Sequence, residues 1–382
     1  MPSKTKVLYV LSMLGSGGTE AFVMNVVRSL PQDKFDVTIA LALDENSDEA
    51  LQTRKGEAID MGAHIEYLGA MKLSVSGIIR FIQNIHKVIE KCGPFDVVHG
   101  NMDLFNGIIM FATSKSVPIR IAHAHNSQSQ SMTAASTAKF LAFLVYKFLM
   151  RRLILKYATY LCGCSEKALH YEFGENYKLP SSIIYNGMPL NVFSAVQQDD
   201  SYIKSAFSLL KRNNYILTAG RVSNQKNPWF IIKAIYELSR IRNDFVFIWA
   251  GINPYLESFQ SKAEELGIRE HIVFAGARND LPQLMRNSDL FILPSSFEGF
   301  GMVLTEAQAT GLYCLASDKV PTLTDCGLCE YLDIDAFDAP ALWAKRISFL
   351  LDNKPEGKPN EKIKLFDINN TIDQLKKIYS GE

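Results

Sequence analysis

Short apolar segments with strand character alternate with helical segments along almost the whole chain, and this alternation limits the possible folds more than any other feature. In the first half the strand candidates are KVLYVLS, FDVTIALAL, FDVVHGN and IRIAHAHNS. Helical patterns such as GGTEAFVMNVVRSL and GIIRFIQNIHKVIEKC separate them. Strands joined through helices pair in parallel, as in βαβ units. The alternation therefore predicts an α/β protein built on parallel sheets.

A polar stretch near residues 190–212 interrupts the alternation, which then restarts with NYILTAGR, FVFIWAG, HIVFAG, DLFILPSS and YCLAS. The chain of 382 residues is also longer than one hydrophobic core usually supports. We therefore predict two Rossmann-like, doubly wound parallel-sheet domains, the first over residues 1–190 and the second over 191–362. A final helix, at about 363–382, has no strand after it.

Charge and hydropathy restrict the partners. The formal net charge of +0 gives no reason to expect nucleic acid. No small-residue cleavage site follows the N-terminal run VLYVLSML, so we interpret it as a buried strand and expect a cytoplasmic protein. The apolar stretch 139–161 has too many cations for a bilayer core. It is either a helix packed on its own domain with solvated cations or a membrane-surface helix with a basic face. Its cations are Lys139, Lys147, Arg151, Arg152 and Lys156.

The six cysteines are predicted to be free thiols, as is usual in a large chain without a secretory signal. Cys326 and Cys329 form a CGLC motif that zinc or redox chemistry could use. No second CxxC and no nearby pair of histidines accompanies it, so a zinc site there is disfavoured.

The loops that follow the strands carry the candidate chemistry, because ligands of open parallel sheets bind beyond the carboxyl ends of the strands. GSGGTE, with Gly17 and Gly18, follows the first strand and opens a helix, where backbone N–H groups can bind an anion. Glu20 occupies the position of the last glycine of a dinucleotide motif, which disfavours NAD. A tight strand–helix turn is the alternative interpretation.

Cations and histidines follow other strands. Arg221 and Lys226, in GRVSNQKN, suit a diphosphate, although two solvated loop cations would look the same. His99, His123 and His125 follow strands of the first half. A polar lining for a sugar or an electrophile is favoured over packed histidines, and zinc lacks a third close ligand.

The segment FEGFGMVLTE places Glu298 before a predicted helix from Met302 to Thr310 and Glu306 within it. Gly299 and Gly301 allow the backbone to approach a ligand closely. One carboxylate could bind a ribose diol while the other reads a sugar. The alternatives are a helix-start Glu with a surface Glu, and the acid pair of a glycosidase, which would not need the two cations.

Together these motifs resemble the retaining glycosyltransferases of the GT4 family, which have the GT-B fold. The resemblance covers nearly the whole chain and is closest to members that build bacterial capsular polysaccharides and exopolysaccharides. EGFGMVLTE resembles the E-x7-E motif of the family, and GRVSNQK resembles its diphosphate-binding motif. The resemblance implies that the two domains face a central cleft and that the final helix crosses back to the first domain.

The resemblance also implies roles for individual residues. Glu298 would contact the donor sugar and Glu306 the ribose, while Arg221 and Lys226 would bind the diphosphate. The active-site histidine would be His125, with His123 as the second choice. The remaining substrate-binding candidates are Gly17 and Gly18 at the phosphates, Asn186 in the N-G-h segment, Arg278 near the base, and Gly299, Phe300 and Gly301 within the E-x7-E motif. Two departures are KNP in place of K-G at Lys226, and Asn101 where relatives often have a histidine.

The implied activity is metal-independent, cofactor-free transfer from a nucleotide diphosphate sugar, with UDP favoured, to a glycan or lipid-linked saccharide. The protein would work in the cytoplasm, with the inner face of the cell membrane as a further contact that the stretch 139–161 leaves open. A sugar-nucleotide epimerase and a non-catalytic nucleotide-sugar-binding relative remain alternatives.

Overall fold

The structure, a computed structural model, describes residues 4–15, 17–126, 137–208, 214–355 and 357–381. The chain divides into two compact units. The first unit comprises Met1–Met188 together with Asp367–Glu382, and the second comprises Pro189–Phe366.

The first unit contains a parallel sheet in the order β3-β2-β1-β4-β5-β6-β7. These strands are β1 (Thr5–Leu11), β2 (Phe35–Leu41), β3 (His64–Tyr67), β4 (Val97–Gly100), β5 (Ile119–Ala124), β6 (Tyr160–Gly163) and β7 (Ser181–Ile183). Its helices up to this point are α1 (Gly18–Ser29), α2 (Lys55–Asp60), α3 (Val75–Cys92), α4 (Asn106–Thr113), α5 (Thr137–Tyr157) and α6 (Glu166–Phe173).

The central strand β1 shows why this sheet is buried on both faces. Leu8 and Val10 join the hydrophobic core on one face, while Val7, Tyr9 and Leu11 join the core on the other. Alternate side chains of a strand point to opposite faces, so a strand covered on both sides is apolar throughout.

The second unit contains a parallel sheet in the order β10-β9-β8-β11-β12-β13. Its strands are β8 (Asn214–Ala219), β9 (Phe245–Ala250), β10 (Ile272–Gly276), β11 (Leu290–Leu293), β12 (Cys314–Ser317) and β13 (Cys329–Leu332). Its helices are α7 (Leu190–Ser194), α8 (Tyr202–Phe207), α9 (Pro228–Ser239), α10 (Leu256–Glu265), α11 (Leu281–Arg286), α12 (Met302–Ala309) and α13 (Ala339–Asn353). Two doubly wound parallel sheets are the architecture that the sequence predicts.

The last helix, α14 (Ile368–Ser380), belongs to the first unit although it follows the second in the chain. Ile372, Leu375 and Ile378 are buried in the same core as the β1 residues Val7, Tyr9 and Leu11. An aspartate cap, Asp367, accepts a hydrogen bond from the Asn369 N–H at 2.9 Å and begins the helix.

The sequence pattern identified most of the strands and missed four, β3, β6, β7 and β13. Three of them are edge strands of their sheets, and β6 lies next to an edge. Their residues are exposed or half-buried in β3, β7 and β13, so they lack the continuous apolar run by which a central strand is recognised.

Helix α5 covers most of the stretch 139–161, and its exposed side chains include large apolar residues as well as the cations Arg152 and Lys156. Arg151 donates to the backbone oxygens of Glu172 at 2.9 Å and Tyr171 at 3.0 Å, so it is not a solvated cation. Lys147 lies 3.6 Å from the Tyr171 ring centroid. None of the helices within the described ranges is both long and apolar enough to cross a bilayer. The large exposed apolar side chains among the described residues of α5 are Phe140, Leu141, Leu144, Val145, Phe148 and Leu149.

Candidate functional site

The second unit brings several predicted residues to the carboxyl ends of two neighbouring strands. Arg221 and Lys226 follow β8, and Glu298 follows β11, which pairs with β8 in the sheet. Arg221 is exposed, and its side chain has no hydrogen bond or ion pair to any residue within the described ranges. Its guanidinium is therefore available to a ligand.

Lys226 and Glu298 are in direct contact. The Lys226 Nζ lies 2.7 Å from Glu298 Oε1, and the side chains are only 15% and 8% exposed. Ser295 donates to the same oxygen at 2.8 Å, and Gln225 donates to Oε2 at 3.0 Å. Three donors hold this carboxylate, so its position is fixed by β8 and β11 together. Sequence reasoning did not identify Gln225 or Ser295, although both lie inside the segments that it singled out.

The glycine before α12 is required by the backbone. Gly301 has φ +83° and ψ 44°, the left-handed conformation that side chains with a Cβ rarely adopt, and it caps the N-terminus of α12. Phe300 is buried, with its ring 5.5 Å from that of Phe366. Gly299 lies in the bend between Glu298 and this helix, and Glu306 is half-buried on its second turn.

Arg278 lies after β10, at the edge of the sheet and two strands away from β8. Its guanidinium binds Asp280 through two hydrogen bonds, of 2.7 Å and 2.5 Å, and this ion pair raises the pKa of Arg278. Tyr202 also donates to Asp280 at 2.5 Å. Arg278 is thus engaged within its own unit and not grouped with Lys226 and Glu298.

In the first unit the glycine loop follows β1. Gly17 caps α1, and a Cβ at this position would overlap the Glu20 carboxylate. Glu20 is buried at the start of the helix, where a dinucleotide-binding loop needs space for pyrophosphate. Gly18 is exposed, and a Cβ added to it would meet no atom within 4 Å. Ser16 of the GSGGTE motif lies outside the described residues.

Three histidines stack at the carboxyl ends of β4 and β5. The ring centroids of His99 and His123 are 5.2 Å apart, and those of His123 and His125 are 4.1 Å apart. His99 Nε2 is bonded to His123 Nδ1 at 3.0 Å, and His99 Nδ1 to the Tyr379 hydroxyl at 2.8 Å. Tyr379, on α14, is also hydrogen-bonded to Tyr9 on β1.

Burial keeps this cluster neutral. Desolvation lowers the pKa of His99 to about 3 and that of His125 to about 3, and it lowers the pKa of His123 well below the usual value. Within the described ranges no group of three or more His, Cys, Asp or Glu side chains is arranged to hold a metal ion.

Cys326 and Cys329 are free thiols, and burial raises the pKa of Cys329 to about 12.

Two buried histidine nitrogens lack partners among the described residues. They are His123 Nε2 and His125 Nδ1. Asn186, after β7, also has a buried Oδ1 with no partner among them. A buried polar atom without a partner costs free energy, so such atoms indicate places where a ligand or water binds. His123 is fully buried whereas His125 is 7% exposed, which favours His125 as the ligand-facing histidine.

Comparisons with known proteins show which sequences and structures this chain resembles. The profile of the family described as "Glycosyl transferases group 1" matches residues 201–362. The chain is 30% identical over 349 residues to the "Putative glycosyltransferase EpsF" of Bacillus subtilis, covering 91% of this chain and 88% of that protein. It is 26% identical over 396 residues to the UDP-Gal:alpha-D-GlcNAc-diphosphoundecaprenol alpha-1,3-galactosyltransferase of Escherichia coli, covering 99% and 97%.

Solved structures share the fold. The crystal structure of Anabaena Alr3699/HepE in complex with UDP matches with a TM-score of 0.74 at 17% identity, covering 100% of both chains. At this identity the likeness concerns the fold, and it confirms the predicted fold class.

Proposed function

The chain belongs to the glycosyl transferases group 1 family, and on this basis we propose that it is a retaining, metal-independent enzyme that transfers a sugar from a UDP-sugar. The acceptor is a glycan or a lipid-linked saccharide, and the product is a surface polysaccharide. The E. coli relative, named as acting on UDP-Gal and a diphosphoundecaprenol acceptor, supports both the donor and the acceptor class. The HepE structure with UDP supports the uridine base.

The observation that carries this proposal is the group formed by Lys226, Glu298 and Arg221 at the carboxyl ends of β8 and β11. Loss of the donor's diphosphate leaves negative charge on its oxygens. A lysine ammonium and an unengaged arginine guanidinium are suited to stabilise that charge, so the chain's own cations take the part that a divalent ion plays elsewhere.

The reaction can be written with the bonds balanced. The bond between the sugar anomeric carbon and the diphosphate oxygen breaks, and the acceptor oxygen forms a new bond to that carbon on the same face. The acceptor proton passes to a phosphate oxygen of the leaving group. Glu298 orients the sugar and does not act as a nucleophile.

A screen of nucleotide sugars tests the assignment. The purified protein is incubated with EDTA and each nucleotide sugar, and nucleotide release is measured. Release of UDP from one donor, lost in Arg221→Ala and Glu306→Ala, is the expected result. Conversion of the donor into an epimer without nucleotide release would instead identify an epimerase. If the protein in EDTA neither turned over any nucleotide sugar nor was protected by UDP against thermal unfolding, the proposal would be rejected.

We further propose that helix α5 contacts an anionic membrane surface, where a lipid-linked acceptor would be found. Among its described residues, six large exposed apolar side chains lie between Phe140 and Leu149, and the exposed cations Arg152 and Lys156 follow in its last turns. An apolar strip flanked by cations suits the boundary between acyl chains and anionic headgroups.

A further inference from the structure

Asn101 links the ends of β4 and β5 through its side-chain amide. Its Nδ2 donates to the His99 backbone oxygen at 2.9 Å, and its Oδ1 lies 2.8 Å from His125 Nε2. Asn101 and His125 are both buried, at 5% and 7% exposure.

The orientation of this amide follows from its partners. If the amide were flipped, Oδ1 would face the His99 carbonyl oxygen, and two acceptors would meet without a hydrogen between them. The carbonyl can only accept, so Nδ2 must point toward it and Oδ1 must point toward the imidazole.

The orientation of the amide determines the hydrogens of the imidazole. Oδ1 can only accept, so His125 must carry its hydrogen on Nε2. Burial keeps the ring neutral, because it lowers the pKa of His125 to about 3, so Nδ1 carries a lone pair. This Nδ1 is buried and has no hydrogen-bond partner among the described residues. The ring therefore presents an acceptor that no other described residue of the unit uses.

We propose that Asn101 is a positioning residue that holds neutral His125 as the Nε2–H tautomer, so that Nδ1 accepts a hydrogen bond from a substrate hydroxyl. This assignment rests on the proposed transferase function for the identity of the hydroxyl, but the tautomer itself does not depend on that function. A hydroxyl bound in this way must donate its hydrogen, so its oxygen lone pairs face away from the ring. Without Asn101 the imidazole can adopt either tautomer, and only one of them provides this acceptor.

Histidine ¹⁵N spectroscopy tests the tautomer directly. The protein is labelled with ¹⁵N-histidine, and the two nitrogens of His125 are assigned with a His125→Gln variant. Wild type is expected to show hydrogen on Nε2. Asn101→Ala is expected to show a mixture or hydrogen on Nδ1. Hydrogen on Nδ1 in wild type, or an unchanged tautomer in Asn101→Ala, would overturn the proposal.

Kinetics test whether the tautomer matters to the substrate. Asn101→Ala is expected to lower kcat/KM for the nucleotide sugar by about tenfold or more. Inhibition by UDP alone should be unchanged, because UDP lacks the transferred sugar and its hydroxyls. Asn84→Ala is the matched control, since Asn84 Nδ2 also donates to a backbone oxygen, that of Leu68, at 2.9 Å. If Asn101→Ala loses the Nε2–H tautomer of His125 but keeps the wild-type kcat/KM, Asn101 has no role in substrate binding or turnover.

The two ideas fail separately. If wild type turns over no nucleotide sugar and is not protected by UDP, the transferase assignment fails, while the spectra still decide the Asn101–His125 relationship. If wild type is active and its spectra show the other tautomer, only the inference about Asn101 fails.

Discussion

Lys226 and Glu298 lie 72 residues apart in the chain, yet the ammonium and carboxylate are 2.7 Å from each other at the ends of two paired strands. Their low exposure reduces screening by solvent, so each charge depends on the other more than in a surface pair. A lysine held in this way offers a cation at a fixed position. A cation at a fixed position is suited to the proposed stabilisation of a leaving diphosphate.

Substitutions of Lys226 and Glu298 are expected to affect UDP affinity and protein stability differently. Lys226→Ala should weaken UDP binding about 10–100-fold, because it removes a charge-assisted hydrogen bond, and should lower the free energy of unfolding by about 1–3 kcal/mol, because Glu298 loses its counter-ion. Adding Glu298→Gln should restore stability but not UDP affinity. Calorimetry and urea unfolding measure both quantities, and exposed Lys233→Ala is the control. Unchanged UDP affinity in Lys226→Ala would contradict the diphosphate role.

The neutral histidine cluster predicts a loss of stability in acid. Unfolded histidines bind protons below pH about 6.5, whereas native His99 and His125 bind them only near pH 3. The free energy of unfolding should therefore fall as the pH drops below about 6.5, by up to about 1.4 kcal/mol per pH unit for each histidine. Urea unfolding between pH 7.5 and 5 measures the slope. It should be shallower in His99→Phe and unchanged in His64→Gln, whose side chain is 66% exposed.

The buried carboxyl of Glu172 predicts that the free energy of unfolding falls as the pH rises, which is opposite in sign to the effect of the histidines. This side chain is 1% exposed, its Oε1 has no partner among the described residues, and burial raises its pKa well above the usual value. From about pH 4.5 up to the raised pKa, the folded state holds a proton that the unfolded state has released, so stability falls as the pH rises. Glu172→Gln should remove this slope, of up to about 1.4 kcal/mol per pH unit, and be at least as stable as wild type at pH 8. Exposed Glu175→Gln should leave the slope intact, and a Glu172→Gln variant less stable than wild type at pH 8 would refute the prediction.

The hydroxyl of Tyr379, on α14, is expected to contribute to the stability of the first unit. Its hydroxyl is bonded to His99 Nδ1 at 2.8 Å and to the Tyr9 hydroxyl, all within the core. Tyr379→Phe should lower the free energy of unfolding by about 1–3 kcal/mol, because buried polar atoms lose a partner. Urea unfolding measures this, with exposed Tyr255→Phe as the control. Equal stability of the two variants would show that the hydroxyl contributes nothing.

The exposed face of α5 predicts binding to anionic vesicles. Phe148→Glu and Arg152→Glu should each reduce flotation with vesicles that contain phosphatidylglycerol, because one removes apolar contact and the other reverses a charge. Phe337→Glu is the matched control, since Phe337 is 100% exposed on the second unit. Flotation that is absent in wild type, or equal in Phe148→Glu and wild type, would reject membrane contact.

Local patterns were sufficient to predict many elements. Apolar strands such as β1 and β8 are buried on both faces, so their positions can be recognised from composition alone. The motif around Glu298 was recognisable because a glycine with positive φ and a helix start have strong local preferences. Asn101 was visible only as a departure from a family pattern. Tyr379 gave no signal, since a tyrosine near the end of an amphipathic helix is ordinary.

Local sequence is enough to predict two runs of parallel strands and the residue types that follow them, because strand periodicity and turn chemistry depend on neighbouring residues. Which of those residues meet depends on the tertiary fold. The contact of Lys226 with Glu298, the amide of Asn101 against His125, and the hydroxyl of Tyr379 on His99 each join distant segments. Such contacts arise from strand order and packing, and the hydrogen bonds that fix a histidine tautomer exist only after the core has excluded water.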